Sequence, residues 1–424
     1  MMRCIIRLGT VLFLALPMSH ARADEFHYKS VLIGERAAGL GGAYVALSDD
    51  PSGVFYNPAG LIRAKEGHFS ASANAYHSTT QTYRDFAPGQ HYTIRSSGLV
   101  PSFTGFTRMI DDHRIGFLIA VPDSDLTEQN DDLKNLSSVA GAAGEFRRRL
   151  SRQNNLFVAG PAYAFPLPGG LSGGISLLSF SRVDRAVDAQ LVLLNPIPTG
   201  KYVQQDTYLA RNTYGINPKV GIQYPVSNEW MTGLTISYRL NLFGSGIQRR
   251  VTTKTDATGT PTALNGAFDN DLVVADTAVA YKDPQVVHFA WGNAYRLSDR
   301  FLVSADVELY TGDPGFTGFA LRPTFNWSLG GEWNATETMI LRGAIYSNNA
   351  NTFHLDAAKQ GQAPHVSLLS ATAGASLMNE RTSLTFGVAY SAGSGQGQVT
   401  AGSTAIQEME QSSLTLYLCG SYQL

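Results

Sequence analysis

Cysteine is nearly absent from this chain. It carries two, Cys4 and Cys419. Cys4 lies in a leader read below, so the mature chain keeps one thiol and forms no internal disulfide. That argues against a stapled extracellular scaffold. Long apolar runs are missing as well: nothing after Asp24 approaches the roughly 20 residues that a membrane helix needs. An excess of charge of either sign is missing too, with a formal net charge of −2, which argues against a nucleic-acid partner. There is no G-x-S-x-G elbow and no close His, Cys and carboxylate grouping at metal-ligand spacing. The GSGQG run near Gly393 lacks the strand–helix context of a dinucleotide loop. No catalytic residue, metal or cofactor is assigned. No linker or low-complexity tract divides the chain.

What is present begins with a leader. Arg3 and Arg7 precede an apolar core over Leu8–Leu16, and Ala21-Arg22-Ala23 gives a small-x-small cleavage pattern. Residues 1–23 are read as a signal peptide. If the exported chain enters a membrane without apolar helices, only a closed barrel satisfies every backbone group.

Alternation is clean downstream. Leu384, Phe386, Val388 and Tyr390 share one face, against Thr385, Gly387, Ala389 and Ser391. Phe301, Val303, Ala305, Val307 and Leu309 oppose Ser304, Asp306 and Glu308. The same holds over Trp230–Leu242 and Phe325–Trp333. Period two over about ten residues fits a tilted membrane strand. Short polar turns are expected near Asp111, Pro168, Ser227, Ser298, Thr336 and Asn379. Long polar connections are expected over Pro122–Gln153, Gly246–Asp283 and Gly393–Gln411. Alternating short and long connections mark an outer-membrane barrel with its short turns in the periplasm. Six short turns imply about fourteen strands. Tyr224, Trp230, Tyr295, Phe301 and Trp333 flank those turns as an aromatic girdle. The final strand places Leu414, Leu416, Leu418, Tyr422 and Leu424 on one face.

Ahead of the strands, GERAAGLGGAYVALSDDPSGVFYNPAGL over Gly34–Leu61 is too irregular for a strand and too short for a domain. Asp50-Pro51 and Asn57-Pro58 each cap and start a short helix. Gly39, Gly41 and Gly42 permit tight packing or positive φ. The segment reads as a plug, with residues 24–65 as plug and 66–424 as barrel. These residues, with PQVVHFAWGNAYRLSDRFLVSADVELYTGD over Pro284–Asp313, resemble the FadL/TodX family of outer-membrane transporters for hydrophobic compounds. The resemblance implies an all-β, fourteen-stranded transmembrane barrel blocked by an N-terminal hatch. It also implies passive uptake of long-chain fatty acids or aromatic hydrocarbons, with exit at a kinked strand. Asn57, Pro58 and Ala59 match the hatch motif. A kink near Pro101 or Gly105 is one reading of those residues; a harmless bulge is the other.

Three further features carry expectations. Leu136, Val139, Ala143, Phe146 and Leu150 have helical spacing within Asp132–Arg152, read as an extracellular face that captures ligand. Arg147-Arg148-Arg149 meets lipopolysaccharide phosphates or is a solvated loop face. Asp306 and Glu308 point to the lumen and pair there with Arg239 or Arg342 rather than performing acid–base chemistry. Expected partners are thus a hydrophobic small molecule and outer-membrane lipids, with the protein a monomer. Two other readings stay open: a hatch-barrel scaffold for protein secretion or assembly, and a barrel lipid hydrolase.

Overall fold

The computed structural model describes residues 26–134, 136, 143–194, 202–254, 275–279, 284–314, 320–400 and 403–424. The signal-peptide reading over residues 1–23 lies outside them. Among the described residues, seventeen hydrogen-bonded segments form one antiparallel sheet. Three strands are each interrupted once, so fourteen strands go round the barrel. They are β1 (His68–Ala87), β2 (Gln90–Ile110), β3 (His113–Lys134), β4 (Ala143–Pro166), β5 (Ser172–Leu194) and β6 (Tyr202–Pro225). Next come β7 (Trp230–Tyr238 with Leu240–Lys254), β8 (Ala275–Val279 with Val287–Ser298), β9 (Phe301–Tyr310) and β10 (Thr324–Asn334). The circuit ends with β11 (Met339–Asn348), β12 (His365–Val366 with Leu368–Met378), β13 (Thr382–Gly397) and β14 (Gln407–Gln423). Strand β14 pairs back onto β1, His68 opposite Gln423, so the circuit closes.

The alternation appears with its predicted phase. Leu384, Phe386 and Tyr390 are exposed while Thr385 and Ser391 are buried. Leu234 and Ile236 are exposed while Thr235 and Ser237 are buried. Apolar residues face out and polar residues face in, the inverse of a soluble sandwich and the requirement of a barrel in lipid. Tyr224, Trp230, Tyr295, Phe301 and Trp333 all point outward beside the short turns. All six expected turns are present. The protein is therefore a transmembrane barrel of the bacterial outer membrane.

The long connections are shorter than expected, because strands continue past the membrane. The first six strands run 20 to 24 residues. Pro122–Lys134 extends β3 and Ala143–Gln153 begins β4, so Asp132–Arg152 does not form the expected helix. The strand places Phe146, Arg148, Leu150 and Arg152 inward together, and this mix of apolar and charged residues on one face hides the period of two. Arg148 turns into the barrel, bonded to both oxygens of Asp188. It therefore meets no lipopolysaccharide. Only Arg147 and Arg149 of the triplet are exposed.

Candidate functional site: the occupied lumen

The N-terminal residues fill the barrel instead of extending its wall. They form α1 (Glu35–Gly39), α2 (Gly53–Tyr56) and a 3-10 helix (Pro58–Arg63). Asn57 caps the 3-10 helix: its Oδ1 accepts from the Ala59 amide at 3.1 Å, and Pro58 fixes the first turn. Asp50 acts differently from the expected cap. Its carboxylate accepts from the Ser52 amide and hydroxyl in a turn ahead of α2, which has no side-chain cap.

This segment is tied to the wall at many points. Asn57 Nδ2 donates to Val45 O at 2.9 Å and to Ile222 O on β6 at 3.2 Å. Gln223 Nε2 donates to Val45 O and Leu47 O. Glu35 accepts from Ser383 and Thr385 on β13. Arg36 bridges Asp49 and Glu332, and Glu332 also holds Arg342. Burial pushes the Asp49 carboxyl up, but the Arg36 guanidinium and the Tyr44 hydroxyl outweigh it and hold it below the ordinary range.

Asp306 and Glu308 face the lumen, both buried, and the N-terminal segment supplies the contacts of Asp306 and the ammonium on Glu308, with Tyr310 and His288 of the wall completing the latter. Asp306 accepts the amides of Tyr44 and Val45 at 2.7 and 2.8 Å. Glu308 takes the Lys29 ammonium at 2.5 Å and the Tyr310 hydroxyl at 2.6 Å. Arg342 pairs with Glu332 instead. Arg239 lies over the Phe180 ring and lines a cavity. Sequence reasoning could not see these partners, because they lie on a segment without periodicity.

Close approach is made possible by glycines. Gly39 and Gly41 lie against Arg342 and Ala344, each with space for no side chain, and Gly41 and Gly42 have positive φ. The wall answers with inward glycines that sequence reasoning missed. A Cβ on Gly233 would lie 2.6 Å from Val45 O, and one on Gly330 would lie 2.7 Å from Leu40 O. Gly174 and Gly221 face Pro58 and Asn57 in the same way. The available signal was glycine at an inward phase of successive strands.

Above this segment lies a cavity of about 160 Å³. Val31, Phe55, Leu156, Val158, Leu178 and Phe180 give it an apolar wall, with Lys219, His288, Glu308 and Tyr310 at its polar side. Tyr28, Tyr310 and His288 stack there, with centroids 3.8 and 4.2 Å apart. Burial pushes the Tyr28 hydroxyl up to about 12, so it is a neutral phenol. A second, more polar cavity lies nearer the mouth and shares Ser30 and Asp123 with the first. Leu150 lines it. Leu136 and Phe146 are buried beside it, in a cluster with Tyr83 and Tyr92. Val139 lies outside the described residues, and Ala143 is placed only as the first residue of β4.

Among the described residues, the ladder between β2 and β3 opens beside these cavities. Strand β2 pairs with β3 only over Phe103–Ile110. Beyond Phe103, β2 pairs with β1 alone until Gln129 bridges back to Thr93 and Arg95. A bulge at Val121-Pro122 bends β3 there, and Val31 N donates to the freed Pro122 O. Pro101 falls at a register shift in β2, whereas Gly105 is paired on both sides.

No protein-family model and no curated protein sequence matches the chain. Solved structures do. The Pseudomonas putida toluene transporter TodX aligns over 92% of this chain and 97% of its own, at 11% identity and a TM-score of 0.58. A Pseudomonas aeruginosa FadL homologue aligns over 94% and 99%, at 12% identity and 0.60. The Ralstonia pickettii toluene transporter TbuX aligns over 94% and 99%, at 13% identity and 0.59. With apolar residues outward, polar residues inward and the whole circuit superimposing, this chain has the fold of the FadL and TodX barrels, the family that its Asn-Pro-Ala segment resembles.

Proposed function

We propose that the protein is a passive outer-membrane channel that takes up hydrophobic compounds, with residues 24–65 as its hatch. The observation that carries this reading is the apolar-walled cavity inside the barrel, with the N-terminal helices packed between it and the short-turn end. A cavity of that size is comparable to the ~150 Å³ apolar site that binds benzene in an engineered protein. Each buried methylene contributes about 0.8 kcal/mol, so a graded apolar path needs neither ATP nor a cofactor. Ligand enters past Leu136 and Phe146, rests against Val158 and Phe180, and leaves sideways through the gap between β2 and β3 when the hatch shifts. Asn57, Pro58 and Ala59 hold the hatch shut, and Gly39, Gly41 and Gly42 allow it to lie close to the wall. Outer-membrane lipids surround a monomer, with Arg147 and Arg149 at the lipopolysaccharide level. The fold neighbours named as toluene transporters support this reading.

The test is uptake of radiolabelled oleate and toluene by cells with and without the protein. Faster uptake of either compound, insensitive to ATP depletion, is expected. Equal uptake across both compounds would favour the scaffold reading.

A further inference from the structure

The hairpin of β1 and β2 stands beside the mouth cavity with one edge zipped and the other loose. Its β1 edge is laddered to β14 from His68 up to Tyr83, opposite Met409. Its β2 edge leaves the β3 ladder at Phe103, and residues 90–102 make no ladder pair with β3. Just above that departure β1 is bulged on both of its ladders, after Asn74. Higher up, side chains hold the loose edge. The Gln129 amide accepts from the Arg95 N–H at 3.1 Å and donates to Thr93 O at 2.7 Å. That is the exchange a paired strand residue makes with its opposite number. Gln129 also donates to Asp131 at 2.7 Å, and Asp131 accepts the Tyr92 hydroxyl at 2.7 Å. The hairpin's own rings complete the closure. Phe86 and Tyr92 lie 4.9 and 5.6 Å from the Phe146 ring, centroid to centroid, within the apolar cluster at the mouth.

We propose that the outer half of this hairpin is a lid on the mouth cavity and that Gln129 is its clasp. A backbone ladder opens only when many bonds break together. The clasp opens when one side chain changes rotamer. Arg95 lies at the outer surface, so water takes up the groups that Gln129 releases and little is lost. The hairpin then pivots on its β14 edge, and the Phe86 and Tyr92 rings leave Phe146. Gln129 is thus a positioning residue: it touches nothing that passes, and it sets how often the mouth is open. The proposal rests on the uptake reading only for what goes beneath the lid. It adds an outer gate at the mouth to the hatch at the short-turn end, and the two share no residue.

A buried thiol reads the lid. Ser96 lies on β2, buried, and lines the mouth cavity. Ser96→Cys is placed in the full chain with Cys419→Ser, and its labelling by a bulky maleimide is timed in detergent. Heat-modifiable electrophoretic mobility confirms that each variant is folded. When opening and closing outpace labelling, the rate follows the open population. Gln129→Ala removes both bonds to the hairpin and should label roughly tenfold to 30-fold faster. Glu128→Ala, exposed on the outer face of the same strand, should label like its parent. In a second arm, Tyr92→Cys and Asp131→Cys are joined in cells by a short bifunctional thiosulfonate. Uptake of toluene and oleate should be lost on cross-linking and return on reduction. Unchanged labelling in Gln129→Ala overturns the proposal, as does an equal rise in Glu128→Ala. Uptake that the cross-link leaves untouched overturns it too. Labelling that follows Gln129, in a protein that gives cells no faster uptake, leaves the lid standing and sinks the uptake reading instead.

Discussion

Replacing Asn57 separates two roles that one side chain performs. Its carbonyl oxygen caps the 3-10 helix, and its amide donates to Val45 O and Ile222 O. The residue is fully buried, so no water replaces these bonds. Asn57→Ala removes a cap worth about 1 kcal/mol and two neutral bonds of about 1 kcal/mol each. Val45 O keeps its bond from Gln223, which trims the loss to about 2–3 kcal/mol in all. At 1.4 kcal/mol per factor of ten, that shifts a hatch equilibrium roughly 30- to 150-fold, yet it is small against a fourteen-stranded barrel. Asn57→Asp keeps the cap and loses both donors, setting a carboxylate against two carbonyls. Both variants should insert normally and show heat-modifiable mobility. Both should change uptake, and limited proteolysis should cut the N-terminal segment faster. If the Asp variant matches wild type, only the cap matters. If Asn57→Ala and Pro58→Ala barrels transport and resist protease like wild type, the Asn-Pro-Ala segment is packing alone and the gating argument fails.

Other outcomes follow from the same contacts. Gly233→Val places a side chain against the Val45 carbonyl; the barrel should assemble while N-terminal protease sites become accessible at least tenfold faster. Asp49 is held below its ordinary 3.8 by Arg36, so its contribution is complete above that value and is lost as pH falls through the depressed one. The part of the segment's protease resistance that Asp49 supplies should therefore be constant from about pH 8 to about pH 5 and be lost only below 3.8. Asp49→Asn should weaken it across that whole range. On the lipid side, Ile236→Arg should lower folding stability in bilayers by about 2–4 kcal/mol, measured by urea titration. An equal charge placed inward at Ser237 should cost much less.

The barrel was legible because lipid demands strict alternation, and Leu384–Tyr390 or Phe325–Trp333 carry little else. Legibility failed where the inward face mixed chemistries. Phe146 and Leu150 share their face with Arg148 and Arg152, so a hydrophobic period of two is invisible and a helical spacing appears by chance. The lumen-facing direction of Asp306 and Glu308 could be read from phase. Their partners could not, since Lys29 and the Tyr44–Val45 amides come from an irregular segment whose path depends on the whole wall. The bend in β3 lies at Pro122, within a stretch that read as a loop; the long outer extension of the strand is what gives that proline a ladder to interrupt.

The tight fit between the N-terminal segment and the inner glycines constrains the order of assembly. Glu35 bonds to Thr385, 350 residues away in sequence, and β1 and β14 close the circuit over a similar span. Contacts so distant in sequence form slowly, because the loop entropy is lost before they are gained. At Gly233 and Gly330 the wall leaves no room for a side chain against the backbone of the segment, so the two surfaces fit closely only when both have reached their final places. Docking of the first helix and closure of the β1–β14 seam both need residues near the end of the chain, Thr385 for the one and Gln407–Gln423 for the other. The first helix of the chain is thus fixed by some of the last residues made.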